Sequence, residues 1–125
     1  MIITIDLAPI TKKNHQQIVQ CKGRPIVIPS KQYKQYEKDC GWFLSKYDYI
    51  EPINYPCNVK CLYFMPTHRR VDLNNLLEAT TDILVHYGVL EDDNSNIIKA
   101  FDGSRVFYDK EHPRTVIEIE VFDEE

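Results

Sequence analysis

An amphipathic helix with a marked beginning and a marked end lies between His68 and Ile98, and it constrains the fold more than any other stretch. With about 3.6 residues per turn, a set of apolar side chains falls on one side of this helix. Asp72 is a plausible N-cap, because its carboxylate can accept a hydrogen bond from a first-turn amide, and Gly88 suits a left-handed C-terminal cap. We therefore predict a helix between these two residues. Its apolar side consists of Leu73, Leu76, Leu77, Ile83, Leu84 and Tyr87.

The polar side of this helix and the loop after it are rich in carboxylates. Glu78 and Asp82 lie on that side, Asp72 lies at its edge, and Asp92 and Asp93 follow the glycine. Folding can bring the acids of a helix start and an acidic turn together, and such oxygen ligands suit Mg²⁺. Metal-assisted phosphodiester hydrolysis uses this kind of arrangement. The alternative is a solvated helix face followed by an ordinary acidic turn.

Strand patterns outnumber helix patterns in the rest of the chain. A second helix is predicted over residues 31–47, with Ser30 as its N-cap. Lys22-Gly23-Arg24 and Asp102-Gly103 are turn signals that predict two hairpins. We expect an α/β (α+β) fold, a single domain over residues 1–125 with a mixed sheet and two main helices packed on it. The predicted strands are residues 2–7, 17–21, 25–29, 58–65, 96–101, 105–108 and 115–121.

The net charge of −4 hides an uneven distribution along the chain. Residues 1–38 contain seven basic and two acidic side chains, whereas residues 71–125 contain four basic and fourteen acidic ones. A basic surface can meet a phosphate backbone while the acids hold a metal or face solvent. We predict DNA contacts from Lys12 and Lys13, from Lys22 and Arg24 at the hairpin tip, and from Arg69 and Arg70 just before Asp72. The alternative is a solvated hairpin and two ordinary surface arginines.

Cysteine usage and hydropathy indicate the compartment. The four cysteines form no C-x-x-C pair, so we expect reduced, structural thiols rather than a zinc site. The chain has no apolar run long enough to span a membrane, and its first residues lack the pattern of a signal peptide. We therefore expect a cytoplasmic protein that has no membrane partner.

The acidic stretch resembles the signature of the RusA-type Holliday junction resolvases, which are small dimeric nucleases common on phages and prophages. The family pattern is Asp-Leu-Asp-Asn, a lysine four residues later, an Asp-x-Leu, a glycine and an Asp-Asp. Val71-Asp72-Leu73-Asn74-Asn75-Leu76, Asp82-Ile83-Leu84, Gly88 and Glu91-Asp92-Asp93 follow this spacing without a gap over about 22 residues.

This resemblance implies a crossover junction endodeoxyribonuclease that makes paired symmetric nicks in four-way DNA junctions. It implies Mg²⁺ as the cofactor, with Mn²⁺ as a possible substitute, in a bacterial cell or a phage-infected host. It also implies a homodimer, because two symmetric nicks need a twofold enzyme. Asp72 and Asp93 carry over as metal ligands and catalytic carboxylates, with Asp92 as their acidic neighbour. Near the hairpin, a lysine, Asn14 and a Gly-Arg pair are similar to the family's substrate-binding loops.

Two positions depart from the family pattern. Asn74 replaces the second aspartate, and Glu78 replaces the lysine. Our hypothesis is that Glu78 takes over metal ligation while Asn74 remains a neutral oxygen ligand or a substrate contact in the catalytic site. Lys99 or Lys110 would then supply the missing positive charge. The alternatives are a junction-binding protein that no longer cuts and a metal-dependent phosphohydrolase for small substrates.

Overall fold

The strand Cys57–Met65 lies inside the main sheet and pairs with other strands on both of its edges. Its side chains alternate between buried and half-buried positions along almost its whole length. This computed structural model describes residues 1–12, 16–47 and 50–122. In chain order the elements are β1 (Ile2–Ile5), β2 (Gln16–Cys21), β3 (Arg24–Pro29), α1 (Lys31–Leu44), β4 (Cys57–Met65), α2 (Leu73–His86), β5 (Ile98–Ala100), β6 (Arg105–Tyr108) and β7 (Arg114–Val121).

The main sheet is mixed, as the sequence predicts. β7 pairs antiparallel with β4 on one side and with β1 on the other. β5 and β6 both pair with the opposite edge of β4, and both run parallel to it. The strands β2 and β3 form a separate two-stranded sheet. The expected fold class, a small α+β domain with a mixed sheet and two helices, is therefore confirmed.

The second predicted hairpin, around Asp102-Gly103, is wrong. β5 and β6 pair with β4 in succession instead of with each other, so they are two pieces of one interrupted edge strand. The turn between them is fastened to β4 by side chains. Asn58 accepts a hydrogen bond from the Asp102 amide (2.8 Å) and donates one to the Asp102 carbonyl (3.1 Å), and the Cys61 amide donates to Ser104 Oγ (3.0 Å). The turn residues thus loop out of the strand and do not reverse it.

The first predicted hairpin is confirmed. β2 and β3 pair antiparallel from Gln16–Pro29 to Cys21–Arg24. Lys22 and Gly23 at the tip have φ angles of 52° and 76°, and two consecutive positive values match a type I′ turn, whose twist suits a two-residue hairpin. Lys22 and Arg24 are exposed at this tip.

Both helices follow their sequence signals. Ser30 Oγ caps α1 by accepting a hydrogen bond from the Tyr33 amide at 3.2 Å. The helix ends at Leu44, and a 3-10 turn continues to Tyr47, so the predicted end is three residues late. α2 ends in a Schellman motif, in which the Gly88 amide donates to the Val85 carbonyl. Within the described ranges, neither helix is long and apolar enough to cross a bilayer.

The core lies between the helices and one face of the main sheet. β4 contributes Cys57, Val59, Cys61 and Tyr63, all at most 1% exposed. Burial raises the pKa of the Cys61 thiol to about 12, and burial does the same for Cys40 on α1. These thiols therefore stay protonated and serve as small apolar core residues, as the sequence predicts.

Candidate functional site

An open cleft of about 430 Å³ brings together three of the predicted site residues. Asn74 and Glu78 come from successive turns of α2, because residues four apart lie on the same helix face. Asp93 comes from the loop that follows the helix. All three side chains are exposed, and apolar residues of the core, such as Leu77, form the floor beneath them.

The loop that carries Asp93 is fastened at both ends. At its start, the Ile53 amide donates to the Val89 carbonyl (2.9 Å), and the Glu91 amide donates to the Ile53 carbonyl (3.0 Å). At its end, the Cys57 amide donates to the Ile97 carbonyl at 2.7 Å. These bonds and the Schellman turn hold the acidic loop beside α2, which explains how Asp93 reaches a cleft that α2 lines.

Asp92 folds the tip of this loop. Its Oδ1 accepts a hydrogen bond from the Asp93 amide (2.7 Å), and its Oδ2 accepts one from Asn94 Nδ2 (3.2 Å). The bond from the Asp93 amide is the main reason why the pKa of Asp92 lies below its ordinary value. Both carboxylate oxygens are thus engaged inside the turn. That Asp92 ligates a metal stays a prediction, and what the structure assigns to it is the shape of the loop.

Asp72 is not among the residues that line this cleft and lies at the N-cap of α2. Its backbone is extended there, but in the described part of the chain its carboxylate accepts no hydrogen bond from a first-turn amide. Its Oδ2 instead accepts a long hydrogen bond of 3.4 Å from Asn75 Nδ2. The predicted capping bond is therefore wrong, and the carboxylate of Asp72 is exposed at the helix start.

The acids do not form a complete metal cage. Among the described residues, no three His, Cys, Asp or Glu side chains lie close enough together to hold a metal ion. The cleft itself still suits Mg²⁺ chemically, because Glu78, Asp93 and Asn74 all present oxygen atoms. Magnesium usually keeps several waters and takes only one or two protein carboxylates together with substrate phosphates. The cleft therefore fits a magnesium ion shared with a phosphate better than a closed structural site.

The two predicted phosphate-binding arginines lie on the strand-to-helix connection. Arg69 and Arg70 line a second cleft, of about 360 Å³, whose other wall includes Ile10 and Thr11. Both arginines are exposed, and Thr67 Oγ1 accepts a hydrogen bond from the Arg69 amide at 3.3 Å. Because only one residue separates Arg70 from Asp72, the cationic cleft adjoins the start of α2.

Lys12 forms an ion pair with Asp82, a residue that the sequence did not assign to the site. Its Nζ lies 3.1 Å from Asp82 Oδ2, one helical turn after Glu78, and 5.8 Å from the centre of the Tyr33 ring. Lys12 thus places a positive charge on the acidic face of α2. The two partners are 70 positions apart in the chain, so no local pattern indicates the pair.

Lys99 and Lys110 are the two lysines predicted to supply the missing positive charge. Lys99 lies on β5, and Lys110 lies between β6 and β7. Lys13 and Asn14 fall outside the described residues, so their predicted DNA contacts stay predictions.

The comparisons agree with this architecture. A family model for the endodeoxyribonuclease RusA matches residues 6–120 of the 125-residue chain. Comparison with curated protein sequences gave no significant match. The match includes the main sheet except β1 and the last residue of β7, both helices, the hairpin, and the acidic and basic clefts. The chain therefore belongs to the RusA family of endodeoxyribonucleases.

Proposed function

We propose that this chain is a Mg²⁺-dependent Holliday junction resolvase that makes paired symmetric nicks in four-way DNA, with Mn²⁺ able to replace Mg²⁺. The observation that supports this most directly is the cleft that Glu78, Asp93 and Asn74 share. A second cleft, lined by Arg69 and Arg70, lies on the segment just before α2. Membership of an endodeoxyribonuclease family supports the reaction class.

Each part of the site has a separate task in this proposal. Glu78 and Asp93 supply the carboxylates that hold the ion, Asn74 supplies a neutral oxygen, and Asp72 acts from the helix start. When bound, Mg²⁺ supplies Lewis acidity that offsets negative charge on the scissile phosphate. Arg69 and Arg70 bind that phosphate and keep it at the mouth of the cleft.

The basic residues outside the clefts would hold the DNA arms. Lys22 and Arg24 stand exposed at the tip of the β2–β3 hairpin, and positive charges on such an arm contact phosphates without reading sequence. A homodimer would place two sites on a junction that has nearly twofold symmetry. The buried, protonated thiols are consistent with a reducing cytoplasm.

Cleavage of a synthetic four-way junction in Mg²⁺ or Mn²⁺ tests the proposal. We expect symmetric nicks from the unchanged chain and at least a hundredfold loss of rate in Asp72→Asn, Glu78→Gln and Asp93→Asn, since about 3 kcal/mol is typical for removing one group that stabilises the transition state. Glu51→Gln is the matched control, because it removes an exposed carboxylate outside the clefts. If Glu78→Gln cuts as fast as this control, the proposed role of Glu78 is wrong.

The incomplete acid cluster supports a second candidate, a protein that binds junctions without cutting them. Asn74→Asp distinguishes the two. A large gain of cutting would show that the natural site is compromised, whereas a lower rate than that of the unchanged chain would support Asn74 as a working member of the site. A phosphohydrolase for small substrates is excluded if DNA binding weakens steeply with salt, because such a slope reports phosphate contacts.

A further inference from the structure

An exposed aromatic surface lies on β6, at the edge of the main sheet. Val106, Phe107 and Tyr108 are 41%, 38% and 44% exposed, although an exposed apolar edge strand is a liability that proteins usually cover or charge. Three consecutive large apolar side chains left in solvent indicate a surface that meets a partner.

One side of this strand carries a stacked pair of rings. The ring centres of Tyr108 and His68 are 3.7 Å apart, and their planes are inclined by 30°. His68 belongs to the segment that leads from β4 to Asp72. Together with Thr67 and Arg69, the two rings line a shallow cleft of about 200 Å³. The cleft therefore combines aromatic faces with a guanidinium group.

The other side of the strand holds this pair in place. Phe107 stacks on Phe64 of β4, with ring centres 5.0 Å apart and planes within 15°, and the Arg114 guanidinium lies 3.8 Å from the centre of the same Phe64 ring. Asp109 Oδ2 accepts a hydrogen bond of 3.0 Å from Arg114 Nη1. The backbone that carries Tyr108 is thus anchored to β4 and β7.

We propose that His68 and Tyr108 form a platform on which a DNA base at the branch point stacks, while Arg69 contacts the adjoining phosphate. This rests on the proposed function. Base stacking is interrupted at a branch point, so a base face becomes available there, and aromatic faces beside a cation bind such bases without sequence preference. The arginine in the cleft and the short connection to Asp72 favour DNA over a second copy of this chain as the occupant.

Binding of a four-way junction labelled with 2-aminopurine tests the platform, in metal-free buffer so that no cleavage occurs. We expect quenching of the probe at the branch point but not of the same probe in the middle of an arm. Tyr108→Ala and His68→Ala should each weaken junction binding roughly tenfold, which is about 1.4 kcal/mol, and abolish the quenching, because each removes a stacking face. Tyr108→Phe should keep both, because the ring remains.

Tyr55→Ala is the matched control, since Tyr55 is also 44% exposed but lies in the connection between α1 and β4. Tight binding and full quenching by both alanine variants of the platform would overturn the inference while leaving the proposed function intact. Failure of the unchanged chain to bind junctions would overturn the proposed function itself. A shift of Tyr108→Ala to a smaller species in ultracentrifugation, with quenching unchanged, would assign the surface to a second copy and overturn the platform.

Discussion

The ion pair between Lys12 and Asp82 allows a quantitative test of how the acidic helix face affects DNA binding. The two charged atoms are 3.1 Å apart, and the side chains are 38% and 35% exposed. If Lys12 contacts a phosphate, Asp82 competes with the DNA for it and also repels the DNA. We therefore expect Asp82→Asn to bind a four-way junction more tightly than the unchanged chain does.

The exposure of the pair limits the size of this effect. Partly exposed ion pairs contribute about 0.2–1 kcal/mol, so releasing Lys12 should tighten junction binding by at most about fivefold. Lys12→Gln should weaken binding and lower the slope of log K against log salt by about 1, because one phosphate contact is lost. In the double variant, the gain caused by Asp82→Asn should largely disappear.

The measurement is a double-mutant cycle, in which junction affinities are determined across a salt series for the unchanged chain, the two single variants and the double variant. Asp102→Asn, in the exposed turn between β5 and β6, controls for the loss of one negative charge far along the chain. Weaker binding by Asp82→Asn would refute the reasoning, because it would mean that Asp82 orients Lys12 towards DNA. An equal gain of junction affinity in Asp102→Asn would mean that the tighter binding of Asp82→Asn comes from the change in net charge and not from the release of Lys12.

Three further predictions concern stability. Tyr63→Phe should cost about 1–2 kcal/mol in urea unfolding, because its buried hydroxyl has a 2.7 Å hydrogen bond, whereas Tyr33→Phe should cost almost nothing, since the structure gives its buried hydroxyl no described partner. Gly88→Ala should cost about 1–2 kcal/mol through backbone strain alone, because φ is +76° and no described atom lies within 4 Å of the added Cβ. Hydrogen bonds from the His112 amide and from Arg114 lower the pKa of Asp109, so its stabilisation is present above pH 3.8 and is lost as the pH falls through the lowered pKa; Asp109→Asn should make acid unfolding less steep.

Sequence reasoning succeeded where the signal and the structure lie in the same segment. α2 follows from its period and from Gly88, and the cleft-facing pair Asn74 and Glu78 follows from helical spacing. The β2–β3 hairpin follows from Gly23, which readily adopts the positive φ that the turn requires. In each case, residues within a few positions of one another determine the local structure.

The remaining features depend on pairing between distant segments. Asp102-Gly103 correctly indicates a turn, but a turn does not determine which strand the chain pairs with next, and Asn58 holds it against β4. Lys12 with Asp82 and His68 with Tyr108 join residues far apart in the chain. The position of Asp72 depends on the extended backbone before α2, which its own residue type does not determine.

The acidic loop between Leu90 and Ile97 has one more consequence. Its two end residues are buried, at 1% and 5% exposure, and the backbone at both ends is hydrogen-bonded to neighbouring backbone. The six residues between them, 91–96, are all exposed. Substitutions at those six positions leave the core packing in place, but those at Asp92 and Asn94 also remove side-chain hydrogen bonds that shape the loop tip. The charge of the loop can therefore be altered at Glu91 and Ser95 while its buried ends keep it attached to the core.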